Sequence, residues 1–543
     1  MAWSRGIFLR KRKLPVDYFS EKSYFFRKGW MKMENKKRFI SNMGAQIASF
    51  VINLGINFFL SGYIVDVIGK EVYGFVGLAN NFTSYVQIFT VAFNAVLSRY
   101  VTIKLVNKEY ESANRYISSV TLCNIAVSVI LLIPSVLLCS FLEYAVEVPQ
   151  ESLTDVKILW ILIFFAFFIQ LGTNTFQTCF FAADRLDLSA RRSLENYILR
   201  AGMLLVTFSF FKPHIWYVGL ASVICAVFMA FLNKHYMKEL TPDLCVSRRY
   251  FSVKAVKELV GVGIWNSVNQ LSQMLMTGLD LLITNVFIGS AEMGILSISK
   301  TIPTQLLSFI GMVSNVFSPR MTIVYASGDK NRFLRETSFA MRVCGALCSV
   351  PLIGFIAFGR EFYSLWMSSL SAQDIMQVQL LSVLTLLPTI FSVYIYPLYN
   401  VNTITCKLKI PVLVSCGIGI GNLGIVYVLL CTTDLGIYAV AGVSSILLLF
   451  RVILFVPMYA AHNLDVRVWT FYPPLLRGCG ASLCMFAVCK IFLKIYQVSG
   501  WIELTAAAVI CGISGYAINF FVVFNGKERM QVLAAVMKKV RKI

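Results

Sequence analysis

The feature that most constrains this chain is an apolar run of near-membrane length that recurs along almost all of it. A helix needs about 20 apolar residues to cross the hydrocarbon core. Candidate spans lie near 39–68, 73–103, 116–142, 157–182, 197–211, 215–236, 259–288, 292–323, 337–358, 377–400, 411–431, 435–460, 473–494 and 500–524. The fifth is the shortest. Charged residues make up 14% of the chain, against roughly 25% in a soluble globular protein. Water is therefore not the main solvent for this surface. The expectation is an all-α integral membrane protein of about 14 transmembrane helices.

The distribution of charge tests the count. With the N-terminus inside, cytoplasmic segments hold 39 of the 49 Lys and Arg residues and outer segments hold six: Lys70, Lys157, Lys212, Arg360, Lys490 and Lys494. Positive residues are retained on the cytoplasmic side, and one missed span would swap every later loop. Both termini are thus expected in the cytoplasm. The basic start, residues 1–38, lacks the build of a cleavable signal peptide. Residues 1–30 are expected to be a dispensable extension or to precede the native start.

Several function classes are disfavoured. The 14 cysteines fall mostly within spans and include no C-x-x-C pair, so they read as small hydrophobes. His214, His235 and His462 are far apart, and no metal site or cofactor is expected. There is no phosphate-binding lysine loop, H-E-x-x-H or G-x-S-x-G, so no enzyme is indicated. The positive charge, net +22, is interleaved with spans, which points to topology and away from nucleic acid.

The chain repeats itself at an offset of 220. Between residues 68 and 118, ten of 51 positions match, among them Gly69/Gly289, Gly74/Gly294, Ser98/Ser318 and Arg115/Arg335. The polar pattern repeats as well. In the seventh span Asn266, Asn269, Gln270, Gln273, Thr277, Asp280 and Thr284 recur at three- and four-residue steps, on one helix face. Gln46, Ser49, Asn53 and Asn57 superpose on Asn266, Asn269, Gln273 and Thr277. Asn80 superposes on Lys300, Ser84 on Thr304 and Asn94 on Ser314. Six intervening spans make the copies parallel, one known transporter plan. Such faces either glue helices together or line a wet cavity; four faces in two matching pairs favour the cavity.

The segments VDVIGKEVYGFVGL (65–78), LSRYVTIKLVNKEYESANRY (97–116), FAADRLDLSARRSLENYILR (181–200), SPRMTIVYASGDKNRF (318–333), FGREFYSLW (358–366) and KLKIPVLVSCGIGIGNLGIVYVLL (407–430) occur in order across the spans. Through them the chain resembles the oligosaccharide/polysaccharide flippase branch of the multidrug/oligosaccharidyl-lipid/polysaccharide exporter superfamily, over about 39–525. The resemblance implies two six-helix lobes, 39–236 and 259–460, with helices 13 and 14 at 473–524 and a basic tail at 525–543. It implies alternating access, a polyprenyl-pyrophosphate-linked glycan as substrate, a bacterial inner membrane, and polymerase or assembly proteins as partners. The alternatives are an organic-cation antiporter of the same superfamily and a membrane-embedded glycosyltransferase or polymerase.

A charge near the bilayer centre costs about 2.5–3.5 kcal/mol by insertion scales, so intramembrane charges mark candidates. Asp280 and Lys300 are expected to share a depth and to pair, either as a structural ion pair or with Lys300 attracting a pyrophosphate. Asn53, Asn57, Asn80, Asn266, Gln273 and Thr304 would line the cavity with them, as would Arg451. Arg99 and Arg320 would form a basic cytoplasmic vestibule. Arg99, Arg200 and Arg342 read as residues near cytoplasmic span ends, where long side chains snorkel, and Asp66 as a wet residue at an outer end. Pro134, Pro303, Pro351, Pro388, Pro397 and Pro457 interrupt spans, each removing a backbone donor.

Overall fold

The computed structural model describes residues 33–405, 407–526 and 528–530. The expectations placed on residues 1–32 and on the tail beyond 530 lie outside these. Fourteen long rods make up the described residues, with no strand among them. They are α1 (Met33–Ile68), α2 (Lys70–Val106), α3 (Tyr110–Ser140), α4 (Leu153–Thr173), α5 (Leu186–Phe210) and α6 (Trp216–Leu240). Rod α7 has two segments, Val253–Gln273 and Asp280–Phe287, joined by a π-helical turn at Met274–Gly278. Then come α8 (Ser290–Asn315), α9 (Lys330–Trp366), α10 (Ala372–Ile404) and α11 (Lys409–Thr432). Rod α12 joins Ile437–Phe450 to Val456–Asn463 through a second π-helical turn, Arg451–Phe455. Last are α13 (Tyr472–Ile495) and α14 (Trp501–Val522). In lipid each backbone polar group must be satisfied within the protein, which is why every span is helical.

Eleven of the rods are long and apolar enough to cross a membrane by composition alone. The three that are not, α5, α7 and α8, carry the polar and charged residues considered below. The fifth span was expected at 197–211; the helix begins at Leu186. Its first turns are polar because Arg191 and Arg192 reach Glu195 at 3.5 and 2.5 Å, pairs that support a helix locally but hide it from a hydropathy criterion. The consequence is a correction. Arg200 lies in the middle of α5, not at a span end.

The repeat has a structural counterpart. Helices α2 and α8 start at 70 and 290, and α3 and α9 start at 110 and 330. Gly69 and Gly289, which precede α2 and α8, both have positive φ, 96° and 145°, a conformation that suits glycine because it lacks a Cβ. Lys108 and Gly328, before α3 and α9, repeat the pattern at 60° and 76°.

Among the first six rods α4 packs along α6 and α3, and α5 along α1; among the next six, α10 packs along α8, α9 and α12, and α11 along α7. Rods α13 and α14 lean on α9, burying Met485, Cys489, Leu504 and Ala507 against Val350, Ile353 and Phe358. The face of the bundle on which α1 begins is called the near face below, and the opposite one the far face.

Three of the interrupting prolines show how a broken helix survives in lipid. Proline cannot bond the carbonyl four residues before it, and that oxygen needs another donor. Ser382 Oγ donates to Ser299 O at 2.8 Å, serving Pro303. Tyr516 donates to Leu347 O at 3.4 Å, serving Pro351, and Tyr472 to Ile453 O at 3.0 Å, serving Pro457. Each donor comes from a different helix, so each kink is also a tertiary contact.

Candidate functional site

The site is built around the interruption of α7. A π-helical turn leaves carbonyls without their usual amide donors. Here they are met from three sides. Asn81 Nδ2 and Tyr85 Oη, on α2, donate to Gly278 O at 3.1 and 2.6 Å. Asn422 Nδ2, on α11, donates to Met276 O at 3.1 Å. Lys300 Nζ, on α8, donates to Thr277 O at 3.3 Å. The turn therefore ties α2, α8 and α11 to one point.

Asp280 opens the second segment of α7, where a carboxylate is favoured by the helix dipole. Lys300 Nζ donates to Asp280 Oδ2 in a close ion pair. The carboxylate side chain is 3% exposed and the lysine 20%. The ammonium thus bridges a buried acid and more open space, and a second anion arriving there could share or take it. Thr304 Oγ1 donates to Lys300 O at 2.7 Å, one turn further along α8.

The polar faces of α2, α7 and α8 are open. Asn80, Asn269, Gln273, Thr304 and Ser308 are exposed although they lie well inside their helices. Exposed amides and hydroxyls at mid-membrane depth need water or a polar ligand. On α1 Asn57 Nδ2 donates to Asn53 Oδ1 at 2.5 Å, and both are half-buried, as is Asn266. The Gln46 side chain lies outside the described residues. Asn94 turns away from this space and bonds Asn124 of α3 at 3.0 Å.

At the far face contacts join the first three rods to α7, α9 and α10. Asp66 is exposed, as expected at an outer end, and accepts from Ser369 Oγ at 2.6 Å. Lys70 pairs with Asp374 at 2.6 Å. Asn285 exchanges two bonds with the Glu147 backbone, at 2.7 and 2.9 Å. Trp366 Nε1 donates to Phe58 O at 2.7 Å, and the two rings stack at 5.0 Å. A Cβ on Gly62 would collide with Trp366.

Toward the near face two helix pairs related by the repeat differ. Rods α2 and α7 pack closely: Ser267 Oγ donates to Ile88 O at 2.7 Å, and a Cβ on Gly263 would collide with Ala92 O. Their counterparts under the repeat, α8 and α1, meet sparsely among the described residues. There the Phe50 and Phe309 rings stack at 6.2 Å.

The remaining charges are scattered. Arg451 begins the π-helical turn of α12 with its guanidinium 5.8 Å from the Tyr399 ring centroid. Arg99 is exposed near the end of α2, and Arg320 pairs with Glu336 at 2.5 Å; the structure does not bring these two together by any bond. Arg342, read as snorkelling, is paired with Glu528 at 2.5 Å. Sequence reasoning missed both π-helical turns and the depth of Arg200. The i,i+3 and i,i+4 pairing around Glu195 was the available signal for the latter.

Comparison with known proteins places this geometry. Residues 37–323 match the family model described as polysaccharide biosynthesis protein. The chain is 27% identical over 513 residues to the uncharacterized membrane protein EpsK of Bacillus subtilis (strain 168), covering 93% of this chain and 98% of that one. Its fold is similar to the lipid II flippase MurJ in an inward closed conformation, with TM-score 0.66 at 14% identity over 88% of this chain and 98% of that one. It is similar to an inward-facing multidrug resistance MATE family transporter of the MOP superfamily, with TM-score 0.61 at 13% identity over 78% and 99%.

Proposed function

Because this chain belongs to the polysaccharide biosynthesis protein family, within the multidrug/oligosaccharidyl-lipid/polysaccharide exporter superfamily, we propose that it is a flippase for polyprenyl-pyrophosphate-linked oligosaccharide, working by alternating access in the cytoplasmic membrane. The observation that carries the reading is the exposed polar surface deep in the bundle, Asn80, Asn269, Gln273 and Thr304, around the Lys300 ammonium. A hydrated glycan needs hydroxyl and amide partners, and a diphosphate needs a cation; both are offered at one depth.

The near face is the cytoplasmic one in this reading, in keeping with the bias of Lys and Arg toward it, and both termini lie there. The far-face seal then makes this an inward-facing state. The diphosphate meets Lys300, the glycan occupies the polar cavity, and the polyprenyl chain stays in lipid beside the thinly packed α1–α8 seam. Asp280 holds the ammonium when cargo is absent and recaptures it on release. Breaking Lys70–Asp374 and Asp66–Ser369 while closing the near face delivers the head group outside.

The test is a proteoliposome assay with a fluorescent polyprenyl-pyrophosphate oligosaccharide and an external head-group probe. Protein-dependent translocation supports the reading. Absence of translocation across several glycans, together with ion-driven export of an organic cation, replaces it with the antiporter.

A further inference from the structure

Between α3 and α4 the flank of the bundle is concave. Ser135 and Cys139 stand one turn apart on α3 and are small. Ser135 Oγ donates back to Leu131 O at 2.7 Å, which turns the hydroxyl into its own helix. Opposite them Phe164 and Phe168 of α4 complete a buried floor, and a cavity of about 270 Å³ remains above it. The rim is open: Val136 and Ile161 are each 43% exposed and Phe165 49%. No residue of the polar faces around Lys300 lines this space.

An apolar void stays dry, and one of ~150 Å³ already takes up benzene. Both walls are helices long and apolar enough to cross a membrane. Their flank meets hydrocarbon, so a hydrocarbon chain is what fills the groove.

The groove has the length of one leaflet and a cation at its end. Lys157 Nζ donates to Ser140 O at 2.9 Å and pairs with Glu143 at 2.6 Å. The ammonium thus lies across the α3–α4 gap at the far face, next to Cys139. Phe168 is eleven residues beyond Lys157 on α4, about 16 Å at ~1.5 Å per residue. Half of a ~30 Å hydrocarbon core is about 15 Å. An ammonium has three N–H donors, and the described residues take two of these. The side chain is 25% exposed, so the third donor can meet a phosphate.

We propose that the α3–α4 groove holds a phospholipid of the far-face leaflet, with one acyl chain between Cys139 and Phe168 and the phosphate at Lys157. The site lies within the first six rods, apart from the thinly packed α1–α8 seam, and does not depend on what the protein carries.

The experiment is titration of the full-length protein in detergent with phosphatidylethanolamine, whose phosphate and amine can meet Lys157 and Glu143. Bound lipid is read by native mass spectrometry and Tm is measured alongside. Wild type should retain the lipid and gain Tm with it. Val136→Trp lays an indole across the mouth and should weaken binding by about tenfold or more. Ile133→Trp adds the same bulk on the exposed side of α3 outside the groove and should stay within about twofold of wild type. Lys157→Met should weaken binding by about threefold or more. A wild type that retains no lipid, unchanged binding in Val136→Trp, or an equal loss in Ile133→Trp overturns the site. Unchanged binding in Lys157→Met overturns the head-group contact. Displacement by an equivalent of decaprenyl phosphate gives the groove to an isoprenoid and overturns the phospholipid. If Val136→Trp does not fold, wild type labelled with a phosphatidylethanolamine carrying a diazirine in one acyl chain decides. Labelling concentrated in 132–139 and 161–168 supports the proposal, and labelling spread evenly over the lipid-facing helices overturns it.

Discussion

A Cβ placed on Gly74 would stand 3.0 Å from the Cα of Gly294, and these two glycines occupy the same position in the two copies of the repeat. Equivalent residues of a two-fold repeat can touch only where the axis relating the copies passes between them. The axis of this bundle therefore runs between α2 and α8 at the far face, and the far-face seal is centred on it. A Cβ on Gly294 would in addition run into the carbonyl of Lys70, whose side chain pairs with Asp374.

Enlarging either glycine should wedge this seal. Gly74→Val or Gly294→Val is expected to cost about 1–3 kcal/mol by overpacking. A cysteine at Ser297, which lies against Gly77, should then become more reactive to an impermeant maleimide added from the far side. Equal labelling in the wild-type and valine backgrounds would show that the seal does not gate access.

The ion pair makes a sharper demand. Removing one partner of a buried pair costs about 3–5 kcal/mol, mostly from the orphaned charge. Lys300→Met should lower the Tm of the purified protein, and adding Asp280→Asn should restore most of the loss. Flipping should stay abolished in the double variant. Recovery of both stability and flipping would leave the pair a purely structural one.

Proline and its donor should be coupled. Ser382→Ala strips the Ser299 carbonyl of its donor, at a cost of about 0.6 kcal/mol or somewhat more in a membrane protein. In a Pro303→Ala background the helix can supply its own amide, and Ser382→Ala should then be closer to neutral. A double-mutant cycle in detergent unfolding reads this directly; additive effects would contradict the assignment.

The seam between α1 and α8 should have to move. A disulfide between cysteines at Phe50 and Phe309, whose rings stack at 6.2 Å, is expected to abolish flipping until it is reduced. A cross-link between Ile88 and Ser267, on the tightly packed α2–α7 side, should be better tolerated. Full transport with the first pair oxidised would move the lipid path elsewhere.

The membrane class, the spans and the 220-residue repeat were legible in the sequence. Hydropathy and charge bias are sums over neighbouring residues, and a repeat is a comparison of the chain with itself. The polar stripe from Asn266 to Thr284 was readable for the same reason, because helical periodicity is local. The depth of Arg200 was not, since Leu186–Asn196 is helical through side-chain pairing and not through apolarity. Nor were the π-helical turns: that of α7 persists because Asn81, Tyr85, Lys300 and Asn422 come from three other helices to satisfy its carbonyls, and in that of α12 Tyr472 donates to Ile453 O. The repeat likewise relates α2–α7 to α1–α8, although Gly263 and Ser267, where α7 meets α2, correspond to Met43 and Ile47, and only the tertiary structure shows which of the two pairs is closed. Closure of one such pair is a matter of how whole helices tilt against each other, a long-range relation that no local sum over the sequence contains.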